Sequence, residues 1–375
     1  MNQNSGSNIL HIIHLLPNLK VGGMENGVVN LLNNTNTNLF KLTLCCILDE
    51  GPLKARITNK DIKILNLRQK AGKRYFLIPK LAMLFHELRV DIVHTHNFYT
   101  GAYGIPAGKL ARVPVIIHGE HGGFKNMGSR KYNLVNLLFR MCDGILTVSY
   151  SLKQEILEVN PKFEKKIHTI INGVDTNIFK KRSNEGVKEE KSLIIGTVGR
   201  LAPEKDYQTL IKAFKNVSLN SQNTILRIVG SGEIEEELKQ LSRELEIGDR
   251  VEFMGQRNDV PDILRDFDIF VLSSIQEGCS NVILEAFSTG IPVIASNVGD
   301  NKILLEKGGG ILIKPADVDE LSNALKILIE NKSKRLELGD EAYNWITQNR
   351  GINHMITDYN NLYKNLYSIK KGINL

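Results

Sequence analysis

No apolar run in this chain reaches the roughly 20 residues that a membrane-spanning helix needs, and the opening stretch, Met1 to Ser7, is polar. That stretch lacks the basic region and apolar segment of a secretory leader. Cysteine is scarce: Cys45, Cys46, Cys142 and Cys279 are the four in 375 residues, and their spacing fits neither a zinc site nor a disulfide framework. A reduced, cytoplasmic chain is expected. Helix-turn-helix, zinc-finger and aromatic RNA-binding signatures are also missing, so the net charge of +7 does not imply nucleic acid as a partner. There is no short-period repeat. A balance of 42% hydrophobic and 24% charged residues excludes a disordered chain.

What is present is enough chain for two domains of ordinary size. Residues 1–190 carry a net +11 and the remainder a net −4, so the two halves meet different surroundings. Short β-rich runs alternate with helical patterns throughout. Strands are expected at Ile9–Leu16, Leu42–Leu48, Ile62–Leu65, Asp91–Thr95, Val115–His118 and Gly144–Val148, then at Leu193–Val198, Thr224–Val229, Val251–Phe253, Ile269–Leu272 and Pro292–Ala295. Helices are expected at Met24–Asn33, Tyr75–Glu87 and Tyr132–Met141. Such alternation predicts parallel sheets with crossover helices. Lys180 to Lys191 is charged and has no apolar periodicity, which marks an exposed linker. The expected domains are 1–178 and 190–354, with a closing helix at about 355–375 packing back on the first. Open α/β sheets bind ligands beyond the carboxyl ends of their strands, so the candidate residues are sought there.

The strongest signal is EGCSNVILEAFSTGIPVIAS, from Glu277 to Ser296, directly after an apolar strand. Glu277 and Glu285 stand eight positions apart, with a helix expected to start near Asn281 or Val282. A glycine-containing loop and a helix start can receive phosphate or sugar oxygens. GRLAPEKD supplies Arg200 and Lys205 just after another strand. A guanidinium forks onto phosphate oxygens and an ammonium adds a point charge, so the pair can hold a diphosphate. Taken singly, each of these residues reads more readily as a solvated surface charge. Gly22 and Gly23 follow the first strand, but VGGMENG is not the three-glycine dinucleotide fingerprint, and a dehydrogenase is disfavoured. Asp266 and Asp268 have the spacing of a metal-holding carboxylate pair, yet Asp268 opens an apolar strand and no metal is expected there.

Taken in order, VGGMENGVVNL, INGVDTNIF, TVGRLAPEKDYQTLIKAF, RIVGSGEIEEEL, VEFMGQRNDVPDIL and the two-glutamate block cover most of the chain. Together they resemble glycosyltransferase family 4, retaining enzymes of the GT-B fold with two Rossmann-like domains facing across a cleft. The resemblance implies that Arg200 and Lys205 clamp the donor diphosphate and that Glu285 meets the ribose. Glu277, with Cys279, Ser280, Asn281 and Val282, would hold the donor sugar. Gly22, Gly23, Gly232 and Arg257 would also border the donor. His121 in VIIHGEHGG takes the family's active-site histidine role, with His118 as the alternative; His94 and His96 are further strand-end histidines. Asp300 stands where the family often has a second glycine.

These readings lead to a hexosyl-type glycosyltransferase that moves a sugar from a nucleotide-diphosphate donor, a UDP-sugar being favoured. The acceptor would be a saccharide or lipid-linked chain in polysaccharide, lipopolysaccharide or glycolipid synthesis, with no cofactor and no metal. A sugar-nucleotide epimerase of related fold and a non-catalytic sugar-nucleotide-binding protein are the alternatives. The segment Leu67 to Val90 places Arg68, Lys70, Lys73, Arg74 and Lys80 beside Tyr75, Phe76, Leu77 and Ile78. Its composition suits the anionic inner face of the cell membrane.

Overall fold

The computed structural model describes residues 9–69, 76–122, 129–182, 192–219, 221 and 223–373. The chain forms two compact units, one of residues 1–172 with 352–375 and one of residues 173–351.

In the first unit the chain runs through β1 (Leu10–Leu16), α1 (Gly23–Asn34), β2 (Phe40–Cys46) and β3 (Lys63–Asn66). It continues through α2 (Leu77–Glu87), β4 (Ile92–Thr95), α3 (Phe98–Leu110) and β5 (Val115–Glu120). The unit's remaining elements before the passage to the second are α4 (Ser129–Met141), β6 (Gly144–Thr147), α5 (Tyr150–Val159) and β7 (Ile167–Thr169). The strands form one sheet of order β3-β2-β1-β4-β5-β6-β7, and every pairing is parallel.

The second unit opens with β8 (Leu193–Val198), α6 (Tyr207–Ser218), β9 (Thr224–Val229), α7 (Glu235–Glu244) and β10 (Val251–Phe253). Next come α8 (Val260–Asp266), β11 (Ile269–Leu272), α9 (Asn281–Thr289) and β12 (Val293–Ser296). It ends with α10 (Asn301–Gly308), β13 (Gly310–Ile313), α11 (Val318–Glu330) and α12 (Lys332–Asn349). Its parallel sheet has the order β10-β9-β8-β11-β12-β13. The final helix, α13 (Ile352–Lys371), belongs to the first unit, where Ile352, Met355, Ile356, Tyr359, Leu362, Tyr363 and Tyr367 join the core around β1 and β2.

Both sheets are doubly wound, with the strand order reversing beside β1 in one and β8 in the other. Burial of both faces explains their near-continuous apolar strands. The passage between units falls at Asn172–Gly173, ahead of the charged stretch. Val174 already packs with the core of α9 and β11, and Arg182 is tied to Asp268, so this segment is part of the second unit. Residues 183–191 of the expected linker lie outside the described residues.

Two strands, β7 and β13, lie outside the expected set, as do several helices, of which α3 departs furthest from any pattern. The α3 sequence, FYTGAYGIPAGKL, has Pro106 inside it and no apolar stripe. It is started by a capping box, in which the Asn97 side chain accepts from the Thr100 amide and Thr100 answers. Its glycines let it lie close on the sheet. A Cβ at Gly104 would sit 2.5 Å from Leu15, and one at Gly101 would sit 2.7 Å from the His118 ring.

The segment 67–90 differs from its expected role in part. Lys70, Lys73, Arg74 and Tyr75 lie outside the described residues. Leu77 is fully buried in the first unit's core and Ile78 packs against it, so neither is available to a membrane surface. Phe76 and Met83 are exposed, at 82% and 64%.

Candidate active site

In a doubly wound sheet the strand order reverses at a switch point, where loops at the carboxyl ends diverge and leave room for a ligand. In the second unit that point lies between β8 and β11, and the sequence-predicted cations and Glu277 converge there. After β8 the chain turns through Gly199 and Arg200 into a short 3-10 turn, Pro203–Lys205. Asp206 then takes a left-handed conformation (φ 48°) and caps α6, its carboxylate accepting from the Thr209 amide at 3.3 Å. After β11, Ser273 Oγ donates to the Lys205 carbonyl at 3.0 Å, and the Ile275 amide donates to the Glu204 carbonyl at 2.9 Å. The two loops are thus stitched together by one side-chain and one main-chain donor, both reaching main-chain carbonyls.

The charges follow from this stitching. Lys205 Nζ lies 2.6 Å from Glu277 Oε1, and Ser274 Oγ donates to the same oxygen at 2.7 Å. The Glu277 side chain is only 11% exposed and that of Lys205 23%, so the pair is shielded from solvent. Arg200 pairs with Glu204 and remains 69% exposed. The site therefore presents a sheltered ammonium–carboxylate pair beside an accessible guanidinium.

A buried network sets the following loop. Ser280 Oγ donates to Asn301 Oδ1 at 2.8 Å, and Asn301 Nδ2 donates to the Ser296 carbonyl at 3.0 Å. Gly299 has φ +53°, and a Cβ there would lie 2.5 Å from the carbonyl oxygens of Glu277 and Gly278. Asp300 is buried and its amide donates to the Gly278 carbonyl at 2.9 Å, so this position positions the loop's backbone. Asn281 begins α9, and Glu285 lies half-buried on its second turn. Cys279 and Val282 are half-buried against the apolar cluster of the second unit.

The glycines after β9 are required by close approach. Gly230 has φ +141°, and a Cβ on it would lie 1.8 Å from the Gly199 carbonyl oxygen. One on Gly232 would lie 2.1 Å from the Leu201 carbonyl oxygen. Gly232 thus presses its loop onto the Arg200 loop. Arg257 stands apart on an exposed loop, with its guanidinium engaged by Asp259 at 2.8 and 2.6 Å. The Asp266/Asp268 spacing is structural. Asp268 accepts from Arg182 at 2.8 Å and from the Ile194 amide at 2.9 Å, which occupies both its oxygens, while Asp266 lies 3.9 Å from Arg227.

In the first unit the switch point lies between β1 and β4. Gly22 is the extended residue that starts α1 (φ −164°) and Gly23 is its first helical residue. A Cβ on Gly22 would lie 2.4 Å from the Glu25 carboxylate, which burial in the first turn pushes above its ordinary pKa. His118 Nδ1 bonds to Thr95 Oγ1 at 2.7 Å, and its Nε2 lies 3.6 Å from Glu120. Burial alone would raise the Glu120 carboxyl, but His118 and the Gly122 amide outweigh it, and the net shift is downward. His121 follows β5, with its Nε2 3.3 Å from His96 Nδ1, and desolvation lowers it to about 4. Of the two candidate histidines, His121 stands just past the end of β5, whereas His118 is buried within the strand, and they are linked to different partners. Ser273 and Asn301 make contacts the motifs did not single out, because a motif records neighbours in sequence and their partners Lys205 and Ser280 are 68 and 21 residues away.

Two Rossmann-like units, with a cation pair and glutamates at the switch point of the second, define a GT-B enzyme of the glycosyltransferase class. Comparison with known families agrees. Residues 21–178 match the model described as Glycosyltransferase Family 4, and residues 178–345 match that described as Glycosyl transferases group 1. The UDP-Gal:alpha-D-GlcNAc-diphosphoundecaprenol alpha-1,3-galactosyltransferase of Escherichia coli is 35% identical over 272 residues, 67% of this chain and 70% of that protein. The capsular polysaccharide biosynthesis glycosyltransferase CapM of Staphylococcus aureus is 26% identical, over 69% of this chain and 73% of its own. Among solved structures, Anabaena HepE in complex with UDP and glucose superposes with a TM-score of 0.79 at 21% identity, over 93% of this chain and 97% of that one. The chain belongs to the family 4-type glycosyltransferases, and it is a transferase enzyme.

Proposed function

We propose that the protein is a retaining hexosyltransferase that takes a UDP-sugar and delivers the sugar to a lipid-linked saccharide acceptor. The observation that carries this reading is the sheltered Lys205–Glu277 pair beside the accessible Arg200, with Glu285 nearby on α9. Lys205 and Arg200 neutralise charge that grows on the departing diphosphate as the glycosidic bond lengthens. Glu285 receives the ribose hydroxyls, and Glu277, fixed by Ser274, orients the donor sugar. The acceptor hydroxyl then enters on the face the diphosphate leaves, and the diphosphate takes its proton. The first unit binds the acceptor at its own strand ends, near Gly22–Gly23 and His121. The printed substrates of the Escherichia coli relative, a UDP-galactose donor and a diphosphoundecaprenol-linked sugar, support both halves of the reading.

The diphosphate is held by side-chain cations in this proposal, with no step routed through a divalent ion; at the Asp266/Asp268 pair, both Asp268 oxygens are engaged by protein donors. The deciding experiment supplies UDP-sugars with a GlcNAc-diphospho-lipid and follows UDP release together with glycolipid product. Turnover is expected with the acceptor present and unchanged by added magnesium or manganese. Uridine nucleotides giving no thermal shift where guanosine or adenosine nucleotides do would overturn the donor assignment.

A lipid-linked acceptor calls for a membrane-facing surface. Among the described residues no helix is long and apolar enough to cross a membrane. Phe76, Lys80 and Met83, at helical spacing on or beside α2, instead form an exposed apolar–basic stripe. Sedimentation should show binding to anionic vesicles that falls with salt and weakens in Phe76→Ser/Met83→Ser and in Lys70→Glu/Lys73→Glu/Arg74→Glu. Equal recovery in the supernatant with neutral and anionic vesicles at low salt would sink this surface.

A further inference from the structure

The first unit buries three imidazoles in one place. His14 on β1 and His94 on β4 are register partners, and His96 follows two positions on, so alternation along the strands turns all three to one face. That face is closed by α13 through Tyr359 and Tyr363. The three rings are at most 1% exposed. One nitrogen from each lies within 4.8 Å of the others. Among the described residues no other group of three His, Cys, Asp or Glu side chains comes together in this way.

Hydrogen bonding across the cluster is incomplete. His14 Nδ1 faces His96 Nε2 at 2.9 Å, while His14 Nε2 and His94 Nε2 are buried without any partner. The outward nitrogens of the other two rings are engaged: His94 Nδ1 with the Tyr363 hydroxyl at 2.9 Å, and His96 Nδ1 with His121 Nε2 at 3.3 Å. Metal-bound histidines are commonly held as His94 is, one nitrogen tied outward to fix the ring and the other lone pair turned inward; His14 Nδ1 and His96 Nε2 share a proton that a metal bound between them would displace. Gly119 on β5 leaves room beside the cluster, where a Cβ would lie 3.2 Å from both His94 Nε2 and His121 Nε2.

We infer that His14, His94 and His96 form a binding site for one borderline transition-metal ion, zinc by preference, with a fourth position open beside Gly119. Three imidazoles without a carboxylate favour zinc, copper or nickel over magnesium, calcium or manganese. Three protein ligands with one open position is the arrangement of zinc sites that keep a water or substrate atom on the metal. Desolvation already holds the rings in the neutral form a metal requires, His14 falling to about 3 and His94 and His96 well below the ordinary value. The first and last ligands are 82 residues apart in sequence, so no spacing motif marks the site. The inference does not rest on the donor reading, which concerns the other unit.

The test uses untagged full-length protein, stripped with chelator and then incubated with zinc or cobalt(II). Elemental analysis after desalting should find about one zinc per chain, as for a single three-histidine site. Cobalt should give the visible absorption of a nitrogen-ligated four-coordinate ion. His96→Gln and His94→Ala should lose the metal. His11→Gln should keep it, because His11 is bonded at both nitrogens elsewhere, to Leu88 and Thr43. Zinc at background in well-folded wild type would overturn the site, and so would undiminished zinc in folded His96→Gln. If His94→Ala does not fold, the wild-type stoichiometry and the cobalt spectrum decide.

Discussion

Arg200→Ala should lower turnover by on the order of 10²-fold while leaving Tm within about a degree of wild type. The side chain is 69% exposed and its partner Glu204 lies at the surface, so its loss costs the fold little. Its proposed work is done on charge that develops only as the donor bond breaks, and such contacts carry large effects on rate. Lys205→Ala should cost at least as much in rate, with a measurable loss of stability as well. It leaves the Glu277 carboxylate, 11% exposed, with Ser274 but without its cation. Comparing kcat and Tm for the two variants separates diphosphate stabilisation from site architecture. Near-normal turnover in Arg200→Ala/Lys205→Ala would remove both residues from the mechanism.

The second large effect is expected at the glutamates, and it should differ between them. Glu277→Gln should chiefly lower kcat. The amide keeps the shape and can still accept from Ser274, but it no longer holds the Lys205 ammonium by charge. Because Lys205 and Glu277 act as one unit at 2.6 Å, their losses should not multiply. Lys205→Ala/Glu277→Gln should be scarcely slower than the worse single variant. Glu285→Gln should instead weaken binding of free nucleoside diphosphate, read by calorimetry, with a smaller change in kcat at saturating donor. Equal nucleotide affinity in wild type and Glu285→Ala would show that the ribose is held elsewhere. Fully multiplicative losses at Lys205 and Glu277 would show that the pair does not function together.

Much of the architecture was legible because it depends on local chemistry. Apolar strands alternating with helical patterns are enough to imply parallel sheets, and eleven of the strands lie within a few residues of their expected places. Gly-Arg and Glu-Gly turns are enough to place Arg200, Lys205 and Glu277 in the loops that follow β8 and β11. The sequence by itself determined these features, since each follows from residues a few positions apart and from the burial of both sheet faces.

Other features are decided only when distant segments meet. Helix α3 has no apolar stripe to announce it, and its place comes from glycines that let backbone lie against Leu15 and His118. Leu77 reads as part of a membrane-facing run, yet the core around β1 and β4 claims it. Asp266 and Asp268 have a metal-binding spacing, but Arg182 and the Ile194 amide engage Asp268 from 86 and 74 residues away. The joining of Lys205 to Glu277 and the gathering of His14, His94 and His96 have the same origin. Parallel strands adjacent in a sheet are joined by long crossovers, so residues that share a register position are far apart in the chain. Their contacts, and the charges and lone pairs those contacts satisfy or leave open, exist only in the folded sheet.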